Sequence, residues 1–100
     1  MFDLSKRIVV VSGASSGLGA QMAKGFAGQG ATVVITARRL EKLEKVAEEV
    51  RALGVDCYPI YCDVTDVNSV NECAEKVLEK YGRVDVLVNC AGSAKNNGVL

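Results

Sequence analysis

The run Ile8-Val9-Val10-Val11 leads straight into Ser12-Gly13-Ala14-Ser15-Ser16-Gly17-Leu18-Gly19, and no other stretch restricts the fold as tightly. A continuous run of β-branched residues reads as a strand buried on both faces, as in a parallel sheet covered by helices. A helical pattern begins inside the glycine-rich turn that follows. There Gly13 permits a sharp exit from the strand, and Gly17 lets backbone approach a phosphate closely. Gly19 lets the new helix pack tightly against the strand. The free N–H groups and positive end of the helix face the turn and suit a pyrophosphate. The glycines fall as G-x-x-x-G-x-G, not G-x-G-x-x-G, and no Gly-Lys-Ser/Thr follows, which argues against a nucleoside-triphosphate loop. A glycine turn with no ligand is the alternative at this point.

The alternation of strand and helix continues along the chain. The first helix covers about residues 17–29, with Leu18, Met22, Ala23, Phe26 and Ala27 as its apolar face and Gly30 at its end. Gly25 and Gly28 weaken it, and close approach to the sheet would compensate. Residues 32–36 form the second strand. Residues 40–53 form the second helix, with a charged wet face in which Glu41 and Lys45 make an i,i+4 pair. Residues 56–62 carry the third strand, and Pro59, which has no N–H to donate, puts it at a sheet edge. Asp66 caps a third helix that runs to Tyr81, with Val67, Val70, Cys73, Ala74, Val77 and Leu78 turned inward. Residues 84–89 form the fourth strand, before the turn Cys90-Ala91-Gly92.

The order β-α-β-α-β-α-β with short, right-handed connections predicts a Rossmann-like, doubly wound α/β domain with a parallel sheet ordered 3-2-1-4. In that order Val84, Val86, Leu87 and Val88 form an apolar edge, which invites pairing with another chain. Either a second copy covers it, or residues 1–100 are the N-terminal part of a single nucleotide-binding domain that continues past Leu100. The second is the expectation.

Twelve basic residues balance twelve acidic ones, which leaves no electrostatic footprint for nucleic acid or an anionic membrane. No apolar stretch approaches the ~20 residues of a membrane span. Residues 1–7 lack the apolar segment of a signal peptide, so the expected location is cytoplasmic. Cys57, Cys62, Cys73 and Cys90 contain no C-x-x-C, and histidine is absent, so no metal site is expected. Each cysteine falls in an apolar pattern, as a buried free thiol does.

The motifs also carry a family resemblance. Residues 12–19 resemble the T-G-x-x-x-G-x-G cofactor motif of short-chain dehydrogenases/reductases. Asp63-Val64 is similar to that family's adenine-contacting pair, and Asn89-Cys90-Ala91-Gly92 resembles its N-N-A-G motif. The likeness spans essentially the whole chain, with serine for threonine at Ser12 and cysteine for asparagine at Cys90 as departures. It implies that Ser15, Ser16 and Leu18 meet the pyrophosphate and adjoining ribose. It also implies that Asp63 accepts from the adenine amino group while the Val64 N–H meets the ring. Asn89 would tie neighbouring strands together and also belong to the cofactor site, and Ala91 and Gly92 would leave room beside the ribose. Turn and capping chemistry is the alternative for Ser15, Ser16 and Asp63.

Cofactor choice follows from charge. About twenty residues past the glycine turn, an NAD site wants an acidic side chain on the ribose 2′-hydroxyl. Here the strand ends Thr36-Ala37-Arg38-Arg39, without a carboxylate. Ala37 leaves room for a 2′-phosphate and Arg38 offers a guanidinium fork to hold it, with an ordinary surface arginine as the alternative. Arg39 either assists or covers the start of the next helix. NADP(H) is therefore expected over NAD(H).

The resemblance further implies hydride transfer between the cofactor and a small carbonyl or secondary alcohol, in a homo-oligomer of two or four chains. The family's catalytic Y-x-x-x-K is missing, since Tyr58 is followed four residues on by Cys62, Tyr61 by Thr65 and Tyr81 by Asp85. No catalytic residue is assigned, and this stretch alone should be inactive. The rival reading is a non-catalytic nucleotide-binding half-domain that dimerises through strand four. An extended-type epimerase fits less well, because its glycines fall as G-x-x-G-x-x-G.

Overall fold

Strand β1 (Ile8–Ser12) is buried along its whole length between two parallel neighbours in the computed structural model, which describes residues 4–15 and 17–90. The chain continues through α1 (Gly17–Gly28), β2 (Thr32–Ala37), α2 (Leu40–Arg51), β3 (Cys57–Tyr61), α3 (Val67–Tyr81) and β4 (Val86–Asn89). The sheet order is β3-β2-β1-β4, all parallel, so the expected topology holds and Pro59 lies on an edge strand. Val11 stands opposite Ile35 on one side and Val88 on the other, and Ser12 stands opposite Thr36 and Asn89.

Side chains of a strand alternate between its faces, and the two faces are covered differently. Val9, Val11, Val33 and Ile35 meet Ala23 and Ala27 of α1 and Leu43, Val46, Ala47 and Val50 of α2. Ile8, Val10, Val34 and Ile60 face the other way, toward Cys73 and Val77 of α3. Small residues on α1 and branched ones on the strands let α1 lie close to the sheet. Glu49 of α2 pairs with Lys24 of α1 at 2.6 Å.

The ends of the elements have local causes. The Asp66 side chain accepts from the Asn68 N–H, and Gly82, at φ 82°, closes α3 by donating to the Leu78 carbonyl at 2.8 Å. Strand β4 starts at Val86 rather than 84 because Asp85 spends its groups on the start of β1. Its N–H donates to the Ile8 carbonyl at 2.9 Å, and its carboxylate accepts from the Ile8 N–H at 2.7 Å. The second helix stops at Arg51, whose guanidinium donates to the Cys57 carbonyl and ties the helix end to β3.

Three expectations about packing are corrected. Only Ser69, Cys73 and Val77 of α3 are buried, while Val67, Val70, Ala74 and Leu78 stay exposed. The helix covers the β2–β3 side of its face, and among the described residues nothing covers the β4 side. An apolar groove of about 460 Å³ runs there, lined by Val70, Leu78, Val84 and Leu87. Leu18 is also exposed, because the helix turns Gly19 inward instead. Gly25 and Gly28 have open space where a Cβ would go, so neither marks a close approach to the sheet.

Candidate nucleotide-binding site

The carbonyl of Thr36, near the end of β2, accepts from the N–H of Gly13 at 2.7 Å and of Ala14 at 3.1 Å. These bonds pull the turn sideways over the sheet's carboxyl edge, and the bend requires φ of 78° at Gly13. At Gly19 a Cβ would sit 2.3 Å from the Gly13 oxygen, so the helix could not begin so close to the strand with any side chain there. The turn, the end of β2 and the segment after β3 then surround a cleft of about 530 Å³. It lies outside the carboxyl ends of the strands, where open α/β sheets bind ligands.

Arg38 and Arg39 line one wall of the cleft, beside Ala37. Arg39 occupies the N-cap position of α2, and no side chain caps that helix. The first N–H groups and positive end of that helix therefore add to the two guanidinium charges. Asp63 lines the cleft as well. The Thr65 hydroxyl and then the Thr65 N–H hold its carboxyl below the usual range, with Arg38 adding a smaller attraction. Asp63 is thus a carboxylate at neutral pH, able only to accept. Its own N–H donates to the buried Ser69 hydroxyl at 2.9 Å.

Of the sequence-predicted residues, Gly13, Ser15, Gly17, Leu18, Gly19, Arg38, Arg39, Asp63 and Val64 all line this cleft. Asn89 lines the apolar groove on the α3 face instead. It follows Val88 on β4, and alternation sends its side chain to the face opposite the one Val88 packs on. Ser16, Ala91 and Gly92 lie outside the described residues. Cys62, Thr65 and Cys90 join the cleft without having been singled out for it. For Thr65 a signal existed, since a hydroxyl two residues after an aspartate is the spacing of an Asx turn.

The four cysteines are free thiols, three buried and Cys90 half-buried. Burial pushes Cys57 and Cys73 up to about 11, which leaves them inert as nucleophiles. Among the described residues no group of acidic, cysteine or histidine side chains could hold a metal ion. Nor is any described helix long and apolar enough to cross a membrane. The donor set fits a dinucleotide. Gly17, at φ 53°, has nothing within 4 Å of a would-be Cβ, so its backbone is open to a ligand. The same lining carries two basic groups and an acceptor carboxylate.

Strand order, crossovers and a cleft at the carboxyl edge define a Rossmann-like domain, present here in part. The sequence matches the short chain dehydrogenase family over residues 7–100, and the chain belongs to that family of oxidoreductases. Over 89 residues it is 43% identical to an uncharacterised oxidoreductase of Mycobacterium bovis, covering 86% of this chain and 26% of that protein. Among solved structures, the L-sorbose reductase of Gluconobacter frateurii, complexed with NADPH and L-sorbose, superposes with a TM-score of 0.89. It is 33% identical, over 98% of this chain and 38% of that one. A metagenomic short-chain oxidoreductase in complex with NADP is 41% identical, with a TM-score of 0.82, over 96% of this chain and 41% of the other. The chain spans less than half the length of each of these three proteins.

Proposed function

We propose that this chain is the NADP(H)-binding part of a short-chain dehydrogenase/reductase that interconverts a carbonyl and a secondary alcohol. The observation that carries the cofactor choice is the basic wall of the cleft. Arg38 and Arg39 stand at the end of β2, next to a helix N-terminus without a side-chain cap, and the small Ala37 leaves open the room a carboxylate would fill. A 2′-phosphate meets the Arg38 guanidinium there, with Arg39 next to it in the chain, whereas a bare 2′-hydroxyl finds no carboxylate at the end of β2. Two structural relatives solved with NADP or NADPH support the same choice.

In this reading the backbone at Gly13–Gly19 holds the pyrophosphate, with Ser15 and Ser16 beside it. Asp63 and Val64 hold the adenine, and Ala91 and Gly92 leave room for the adjoining ribose. Asn89, paired with Ser12 at the end of β4, braces β4 against β1 beside the nucleotide. The nicotinamide cofactor supplies the hydride when bound. This chain contributes binding and orientation, and the acid–base tyrosine and lysine belong to the rest of the full-length protein. Free thiols at all four cysteines suit the cytoplasm.

The test is Arg38→Ala in the full-length protein, with NADPH and NADH binding measured by titration of cofactor fluorescence. A charge-assisted bond of about 1.5–3 kcal/mol predicts NADPH weakened roughly ten- to hundredfold, with a much smaller loss for NADH. Equal losses for both would remove the 2′-phosphate assignment.

A second reading rests on the open groove beside β4, where Leu78 and Leu87 are 52% and 68% exposed. A nucleotide-binding half-domain could bury these residues against a second copy of itself.

A further inference from the structure

Asp63 is fixed on every side but one. Its N–H goes to the Ser69 hydroxyl at 2.9 Å, and its carbonyl accepts from the Asp66 N–H at 3.0 Å. Its Oδ1 accepts from the Thr65 N–H at 3.0 Å and from the Thr65 hydroxyl at 2.7 Å. Among the described residues Oδ2 is not engaged. The carboxylate therefore has one satisfied oxygen and one acceptor left for a ligand in the cleft that Asp63 lines. Without the Thr65 hydroxyl, one of the two bonds that fix the carboxyl's rotation is lost. The remaining bond, to the Thr65 N–H, leaves the carboxyl freer to rotate about its Cβ–Cγ bond, so the second oxygen is held less firmly toward the cleft.

The consequence concerns base selectivity. An acceptor-only group rewards a purine that carries an amino group and rejects one that carries a carbonyl oxygen at the same position, where two acceptors would face each other. That discrimination needs the oxygen in place before the base arrives. We propose that Thr65 is a positioning residue that sets the selectivity of this site for adenine over hypoxanthine, acting through the Asp63 carboxylate. Ser69 supports it by fixing the Asp63 backbone. The inference rests on the reading of Asp63 as the adenine contact.

The simpler account of these bonds is that they only start helix α3, and the two accounts differ in what they move. A helix-entry role weakens every nucleotide alike, whereas a positioning role changes the ratio between two bases. The experiment compares NADPH with its hypoxanthine analogue, in which the adenine amino group is replaced by oxygen. Affinities are measured by fluorescence titration in the full-length protein and in Thr65→Val and Thr65→Ser, with a thermal melt of each. The unaltered protein should prefer NADPH roughly ten- to hundredfold. Thr65→Val should lower that preference roughly three- to tenfold, the equivalent of one hydrogen bond, and Thr65→Ser should keep it. An unchanged ratio in Thr65→Val, with both affinities intact or reduced together, overturns the positioning role and leaves the adenine assignment standing. No preference in the unaltered protein overturns both.

Discussion

A Cβ at Gly19 would lie 2.3 Å from the Gly13 oxygen and 2.9 Å from the Ala14 Cα, both backbone atoms of the turn that builds the cleft. Backbone held by two hydrogen bonds to Thr36 cannot step aside as a flexible side chain would. Gly25, on the same helix, has nothing within 4 Å of its would-be Cβ. The same substitution should therefore have opposite signs at the two positions. Gly19→Ala is expected to cost about 1–3 kcal/mol by overpacking and to weaken NADPH binding with it. Gly25→Ala is expected to gain about 0.5–1 kcal/mol, because alanine loses less backbone entropy in a helix and meets nothing. Urea melts of both variants decide the matter, and a stabilising Gly19→Ala would mean the turn is looser than its hydrogen bonds indicate. The role of Gly19 was legible from its place in the motif. That of Gly25 was not, since a one-dimensional pattern says that a helix contains a glycine but not what faces it.

Elements were legible where one periodicity ran unbroken, as in the apolar run of β1 and the alternating stripe of α2. Strand order followed from connection length and crossover handedness, and Pro59 confirmed which strand lay outermost. What pattern alone could not supply was which half of an apolar stripe finds a partner, so α3 was expected to bury residues that it exposes. The start of β4 was hidden for a related reason, because Asp85 reads as a strand residue until its partners are seen. Its carboxylate accepts from the Ile8 N–H, with Arg83 and Arg7 nearby, and these hold it below the ordinary value of 3.8. A carboxyl whose folded value is lowered stabilises the fold above its unfolded value, and that contribution fades as pH falls through the folded one. Asp85→Asn should therefore be less stable than the unaltered chain at pH 7, with the gap closing as the pH drops below about 4. Melting temperatures measured across that interval test this, and a gap that stays constant with pH would assign the effect to shape instead of charge.

Across the whole molecule, the two faces of the sheet are finished to different degrees. The face under α1 and α2 buries Leu43, Val46, Ala47 and Val50 completely or nearly so, whereas the α3 face ends in a groove beside β4. Two leucines measure the difference, since Leu43 is fully buried and Leu78 is 52% exposed. In residues 1–100 made alone, Leu43→Ala should cost about 2–5 kcal/mol, the usual loss for a buried leucine that leaves a cavity. Leu78→Ala should stay within about 0.5 kcal/mol, as surface substitutions do. A Leu78→Ala cost that approaches that of Leu43→Ala, and grows with protein concentration, would show a second copy seated in the groove and favour the half-domain reading. A small cost in residues 1–100 that becomes large in the full-length protein would show that the rest of the domain fills the groove. The nucleotide cleft lies at the sheet's carboxyl edge and is lined by residues from the turn, β2 and the segment after β3. Its affinity for NADPH should therefore be less sensitive to Leu78→Ala than the stability of the α3 face is.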